Sequence, residues 1–200
     1  RELLFDVEEN FQSTGQSNYL DRIFSSSQLN IDSNLKQNIK KYDENIAEYV
    51  NFINQKRDKP ITLTYFQYLA ILFTEIFLDR YYNDRKKFIS DLNDFVDLQN
   101  EKITEDKYKY SYFNEKDLNK LAFYMATGSG KTLIMHINYL QFMKYCNEVI
   151  NNVILVTPNN GLSKQHLKEF EQSSINAELF IDNMMGLRKE NVIYVIEITK

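Results

Sequence analysis

Leu121-Ala-Phe-Tyr-Met-Ala-Thr-Gly-Ser-Gly-Lys-Thr132 is the stretch whose reading decides the fold. An apolar run rich in β-formers, Leu121 to Met125, stops at a glycine-punctuated turn, and an amphipathic segment starts at Lys131. A strand, a tight turn and a helix N-terminus in succession are the parts of a phosphate cradle. Gly128 and Gly130 carry no Cβ, so the backbone is free to take positive φ and turn its N–H groups on an anion. The helix opening at Lys131 adds unpaired N–H groups and the positive end of its dipole. Lys131 can then reach the β- and γ-phosphates of a nucleoside triphosphate, and the Thr132 hydroxyl can ligate Mg2+. The candidate nucleotide-binding residues are therefore Ala126, Thr127, Gly128, Ser129, Gly130, Lys131 and Thr132, with Lys131 and Thr132 as the catalytic candidates. The usual pattern has Gly six positions before the lysine, where Met125 stands here.

The bulk numbers bound the partners. With 43% apolar and 26% charged residues, the 200-residue chain is ordinary for a globular protein with a sizeable core. Five glycines and two prolines argue against long flexible linkers and for a helix-rich chain. A formal charge of −4 and a pI near 5.3 give no basic footprint, so nucleic-acid contact must use a local groove. The lone cysteine, Cys146, excludes an internal disulfide and points to a reducing, cytoplasmic compartment; it is expected as a small buried side chain inside a helix. Glu75 and Asp79 break the longest apolar stretch, so no membrane span is expected.

Apart from the cradle, the first half reads as helical. Leu35, Ile39, Tyr42, Ile46, Tyr49, Val50 and Ile53 recur at steps of three and four. They predict a long amphipathic helix capped by Asp32 or Ser33 and ending near Arg57, before a boundary at Pro60. Ile61 to Arg80 predicts a helix apolar nearly all round and mostly buried, and residues 84–100 another, with Phe88, Leu92, Phe95 and Val96 as its stripe. Residues 1–33 carry little signal: Leu3, Leu4, Phe5 and Val7 could start a short helix or strand, and Ser13 to Asn18 and Ser25 to Ser27 read as loop. Asn100 to Asp117 is a tyrosine-rich connection in which Lys107 and Lys109 interleave with Tyr108, Tyr110 and Tyr112, a pattern of solvated loops that could also stack on a single strand. After the cradle the pattern turns α/β. Residues 131–146 predict a helix, on which His136 reads as a packing histidine; Asn152 to Thr157, Ala177 to Ile181 and Val192 to Ile198 predict strands, and Leu162 to Glu171 a helix. Alternation of this kind implies a parallel sheet with ligands at the carboxyl ends of its strands.

Three segments together resemble the superfamily-two helicases and translocases, and most closely the motor (Res) subunit of type III-like restriction enzymes. Met125 to Thr132 looks like that family's motif I, whose leading glycine is commonly replaced. Val153-Ile-Leu-Val-Thr-Pro-Asn-Asn-Gly-Leu-Ser-Lys-Gln165 resembles motif Ia, a strand ending in a proline turn with a glutamine in the next helix. The resemblance implies that Pro158, Asn159, Asn160 and Gln165 grip the backbone of a tracked DNA strand, although Asn159 and Asn160 replace the usual Thr and Arg. Leu63-Thr-Tyr-Phe-Gln-Tyr68 looks like the glutamine motif, in which the Gln67 amide would hold an adenine edge. Its distance from Lys131 implies an insertion at about 81–118.

The resemblance implies an incomplete RecA-like P-loop NTPase domain over residues 59–200, with ATP and Mg2+ as cofactors, preceded by a helical region at 1–58. DNA is the implied partner, with a modification or specificity subunit beside it. The implied function is the ATP-binding portion of an ATP-dependent translocase or helicase from a restriction or phage-defence system. No Asp-Glu step follows the loop. Glu197, at the end of an apolar run, is the one candidate for the missing carboxylate. The chain is accordingly expected to be a fragment that binds nucleotide weakly and turns it over poorly or not at all, with the second lobe and any nuclease beyond Lys200. Two rivals stay open: a P-loop ATPase acting on a small molecule or protein, with Glu197 as its carboxylate, and a scaffold in which the loop is a relic of the fold.

Overall fold

Asparagine, aspartate and serine side chains set the ends of the first helices. The computed structural model describes residues 2–9, 11–12, 15–27, 29, 31–150, 152–180 and 189–198. Ser17 opens α1 (Asn18–Ser25), its Oγ accepting from the Leu20 N–H at 3.1 Å. Asp32 opens α2 (Ser33–Asn54), accepting from the Leu35 N–H at 2.7 Å. α1 fills the gap between the two stretches that read as loop, and with eight residues it buries Tyr19, Leu20 and Ile23.

α2 buries the expected row Ile39, Tyr42, Ile46, Tyr49, Val50 and Ile53, while Leu35 in its first turn is exposed. Each fully buried side chain of this size contributes about 1.5–3 kcal/mol. The helix stops at Asn54, short of Arg57. The Asn54 amide holds the next segment, accepting from the Ile61 N–H at 2.9 Å and donating to the Ile61 carbonyl at 3.0 Å. Held in this way, residues 61–63 stay outside the helix expected from Ile61, and α3 (Tyr65–Asn83) begins after Thr64. Nor is α3 buried all round: Phe73 is 64% exposed, and Phe66 is exposed beside it on a free face. α4 (Arg85–Asn100) buries Phe88 and Val96 but leaves Phe95 exposed. Its Asn93 and Asn100 pair with the backbone of Phe113 and Tyr110, which fastens the tyrosine-rich connection along the helix.

α5 (Lys131–Tyr145) joins two cores. Ile137 belongs to the first, built from Tyr42, Ile46, Ile53, Leu63, Tyr68 and Ile71; Met135 and Tyr139 pack on the second, around Phe170, Ile175, Ile193 and Val195. Residues 55–64 separate α2 from α3, and side chains from both sides of the expected boundary at residue 59 share the first core. Cys146 is not inside α5 but is its C-cap, and is half-buried.

The second half is a parallel sheet. β1 (Val153–Thr157), α6 (Asn160–Gln172), β2 (Ala177–Leu179) and β3 (Ile193–Glu197) follow in the chain. The strand order is β1-β3-β2, with Val153 and Ala177 both opposite Ile193. Ile181, expected at the end of β2, lies outside the described residues. β1 is not covered on both faces: Val153 and Leu155 meet the α6 side, while Ile154 and Val156 are more than half exposed.

The expectation of a strand at Leu121 to Met125 is not met. Among the described residues this segment pairs with no strand, and Tyr124 is 95% exposed. A strand needs a neighbour for its N–H and C=O groups. Here β3 lies between β1 and β2, and 121–126 runs along α3, where Phe66, Phe73 and Tyr124 line an apolar groove.

One carboxylate locks the helices. Glu75 of α3 is fully buried and receives the Asn45 amide of α2 at 2.8 Å, the Gln141 amide of α5 at 2.8 Å and the Tyr145 hydroxyl at 2.7 Å. Gln141 also donates to the Ile71 carbonyl at 2.9 Å. Replacing Glu75 by Ala strands three buried donors, so unfolding in urea should show a loss of about 3 kcal/mol or more. A loss under 1 kcal/mol would contradict this role.

Candidate functional site

The loop ahead of α5 has the folded turn that an anion cradle needs. Gly128 stands at φ 77° and Gly130, the N-cap of α5, at φ 86° and ψ 29°. Both are left-handed conformations that side chains disfavour. The two glycines differ in their surroundings. A Cβ on Gly128 would meet open space, whereas one on Gly130 would run into the Gln67 amide. Helix geometry leaves the first N–H groups of α5 without intrahelical acceptors, and Gly130 has no side chain to cap them. Lys131 folds back over the loop, its Nζ donating to the carbonyls of Met125 at 3.0 Å and Ala126 at 2.8 Å. Ser129 closes the turn on the same Ala126 oxygen, through its hydroxyl at 2.7 Å and its N–H at 3.3 Å.

Gln67 is engaged within the protein at both ends of its amide. Its Oε1 accepts from the Thr64 N–H at 3.0 Å, and its Nε2 donates to the Ser129 carbonyl at 2.9 Å. The residue read as an adenine holder thus grips the phosphate loop from the start of α3.

Thr127, Gly128, Gly130, Lys131 and Thr132 face a cavity of about 510 Å³, within the range of small-molecule sites. Its other walls are Arg57, Ile61, Leu133, His136, Gln165, Glu169 and Gln172. Of these, the sequence marks Gln165 as a candidate contact and His136 as a packing residue. That reading is half of the story. The ring is 1% exposed and stacks on Phe170 at 4.3 Å, and it also lines the cavity. Its Nδ1 meets the Ser173 Oγ at 2.8 Å, which also accepts from Arg57 Nη2 at 2.7 Å. Burial, and then the Arg57 charge, push the His136 pKa down to about 4. Burial likewise lowers the Arg57 pKa. Spacing offered one clue to His136: it lies one turn beyond Thr132, on the same helix face. Nothing local points to Arg57, which follows α2 and reaches across 116 residues to Ser173.

The motif Ia residues do not form one cluster. Pro158 and Asn160 are exposed at the carboxyl end of β1. The Asn159 side chain is used as the cap of α6, accepting from the Leu162 N–H at 2.9 Å. Gln165 donates to Glu169 Oε1 at 2.8 Å and lines the phosphate-loop cavity. Glu197 ends β3 opposite Thr157 and is not among the cavity's lining residues; the carboxylate that is there is Glu169.

Comparison with known families gives one result: the family model of the type III restriction enzyme, res subunit, matches residues 94–200. The chain belongs to that family. The matched stretch holds the phosphate loop, α5 and the whole sheet, so the type III res-subunit fold here is that of a P-loop NTPase domain, with helicase-type ATP binding as the family's function. Gln67, Arg57 and the helices before α4 lie outside it. No curated protein and no solved structure matches the chain. Among the described residues of this res-family chain, no helix is long and apolar enough to cross a membrane.

Two measurements test the geometry. Gly128→Ala should lower stability by about 1 kcal/mol through its φ alone, and Gly130→Ala by clearly more, because the new Cβ displaces Gln67; equal losses in chemical denaturation would contradict the contact. The second measurement is pH dependence. In the fold His136 stays neutral down to about pH 4, while the unfolded chain takes up the proton below about 6.5. This group's contribution is therefore complete above pH 6.5 and is lost as pH falls toward 4. Between pH 7.5 and pH 5 the wild type should lose about 2 kcal/mol more than His136→Phe; parallel losses would refute the assignment.

Proposed function

We propose that the protein is the ATP-binding portion of an ATP-dependent DNA translocase or helicase motor of a restriction or phage-defence system. The observation that carries this is the glycine turn at 128–130, placed on the N-terminus of α5 and opening on the Lys131–Thr132 side into a nucleotide-sized cavity. The family of residues 94–200 supports it.

In this reading the triphosphate lies along residues 126–132. The backbone N–H groups of the turn and of the first turn of α5 meet its oxygens. Lys131 leaves the Met125 and Ala126 carbonyls for the β- and γ-phosphates, exchanging neutral acceptors for charged ones. Thr132 fits the single hydroxyl ligand that Mg2+ takes from such loops, since that cation keeps most of its shell as water and phosphate oxygens. When bound, Mg2+ supplies charge neutralisation on the transferred group. Gln67 keeps the Ser129 carbonyl turned away from the anion, so its part is to shape the loop.

DNA is the tracked polymer in this proposal, with a modification or specificity subunit as a further partner. Pro158 and Asn160 form the exposed turn that meets the strand backbone, and Asn159 holds that turn in shape through its cap. Gln165 works on the nucleotide side of α6, where it positions Glu169. The reading places the protein in the cytoplasm, with the DNA.

The test is direct. Lys131→Ala should weaken ATP binding, followed calorimetrically, by about a hundredfold, removing a charge from the phosphates. Asn160→Asp should weaken DNA binding while leaving ATP affinity unchanged, and the wild-type DNA affinity should fall with added salt. ATP binding that survives Lys131→Ala would refute the nucleotide site. DNA binding absent at low salt would refute the motor reading.

A further inference from the structure

Two hollows flank the phosphate loop, and they differ in what they touch. The groove along α3 meets the loop only at Ala126 and Ser129. The cavity beside α6 is lined by both glycines, Lys131 and Thr132, the groups that meet phosphate. A nucleotide with its phosphates on those groups therefore has its remaining volume in the second hollow. Among its lining residues two buried polar atoms have no hydrogen-bond partner, Glu169 Oε2 and His136 Nε2, and the second sits on a ring that is fixed in place. His136 is 1% exposed, its Nδ1 is taken by Ser173, its ring is fixed by the stack on Phe170, and its Nε2 has no hydrogen-bond partner. Leaving such an atom unpaired costs about 1–3 kcal/mol, and a ligand that pairs with it recovers that cost. Ile61 supplies an apolar wall to the same cavity, and Arg57 fixes the hydroxyl that orients the imidazole.

We infer that this cavity takes the nucleoside end of the nucleotide and that His136, through Nε2, is its polar contact. The inference rests on the nucleotide-site reading above. Ser173 Oγ accepts the Arg57 N–H and can give its own proton to Nδ1, which leaves Nε2 as an N–H donor. Such a donor suits the acceptor nitrogens of a purine base or a ribose oxygen. His136 is thus a specificity residue: it distinguishes a nucleotide from a bare polyphosphate and has no part in holding the phosphates.

The probes are ATP and inorganic tripolyphosphate, which share the phosphates and differ by the nucleoside. His136→Phe keeps the ring stack and removes both nitrogens. It should weaken ATP about tenfold, one hydrogen bond's worth, and leave tripolyphosphate unchanged. His136→Gln, whose amide nitrogen falls near the place of Nε2, should recover most of the ATP affinity. His136→Asn, whose amide reaches only the Ser173 side, should not. These two variants also decide the matter if the Phe variant fails to fold. Unchanged ATP affinity in both His136→Phe and His136→Asn would overturn the inference, as would an equal fall for ATP and tripolyphosphate. Lys131→Ala separates the two levels. If it abolishes binding of both probes while the His136 variants bind ATP normally, the nucleotide site stands and only this inference fails. If it leaves both probes bound, the site itself fails.

Discussion

A buried carboxylate tolerates few geometries, and Glu75, which makes no ion pair among the described residues, is held in one of them by three donors from two other helices. Apolar contacts between α2, α3 and α5 would allow small sliding and rotation; directional bonds to two oxygens do not. The consequence reaches the site through α5. Once Gln141 and Tyr145 are fixed at its far end, the rotation of the helix is fixed, and with it the face that carries Thr132 and His136. The near end is held by another residue of α3, because Gln67 binds the Ser129 carbonyl. A single helix outside the matched family stretch thus positions both ends of the phosphate-binding helix.

This changes what shapes the loop. A phosphate loop is usually pictured as hung from the strand before it, yet here residues 121–126 pair with no strand among the described residues and the turn is formed all the same. Its conformation comes from the helix side: two glycines at positive φ, the N-terminus of α5, the Gln67 bond to Ser129 and the Lys131 bonds to Met125 and Ala126. The lysine itself holds closed the carbonyl end of the turn, through Met125 and Ala126.

What could be read from the sequence follows how local each feature is. The cradle was legible because two glycines, a lysine and a threonine in five residues leave few other conformations. The row on α2 and the order of strand and helix after residue 152 were legible because periodicity is local too. Leu121 to Met125 misled for the opposite reason: β-formers state a preference, and only a neighbouring strand turns the preference into a ladder. The exposed Phe73 and Phe95 misled because a helix pattern shows which residues are apolar, not which faces find a partner. Arg57 and Glu169 come from α2's end and from α6, and meet at the cavity by folding alone. Gln67 reads as an adenine contact in the sequence, whereas in the fold both ends of its amide lie on protein backbone, at Thr64 and Ser129.

The charge of the site is as local as its geometry. With a net charge of −4 the molecule as a whole repels polyanions weakly, and at physiological salt fields fade over about 8 Å. Attraction for a triphosphate therefore has to arise within the cavity itself, from Lys131, Arg57 and the dipole of α5, against the opposing carboxylate of Glu169. Arg57 is the telling member of that set, because its guanidinium is spent on Ser173 and on the Ile53 carbonyl and is not aimed at the phosphate groups. Burial first, and then its charge, keep His136 neutral, and its hydrogen bond holds the Ser173 hydroxyl that meets the ring. The cavity thus brings together Lys131 with the glycine turn and an oriented imidazole beside Arg57 and Ser173. Charge for phosphate and a polar ring for a nucleoside are what the proposed ligand needs.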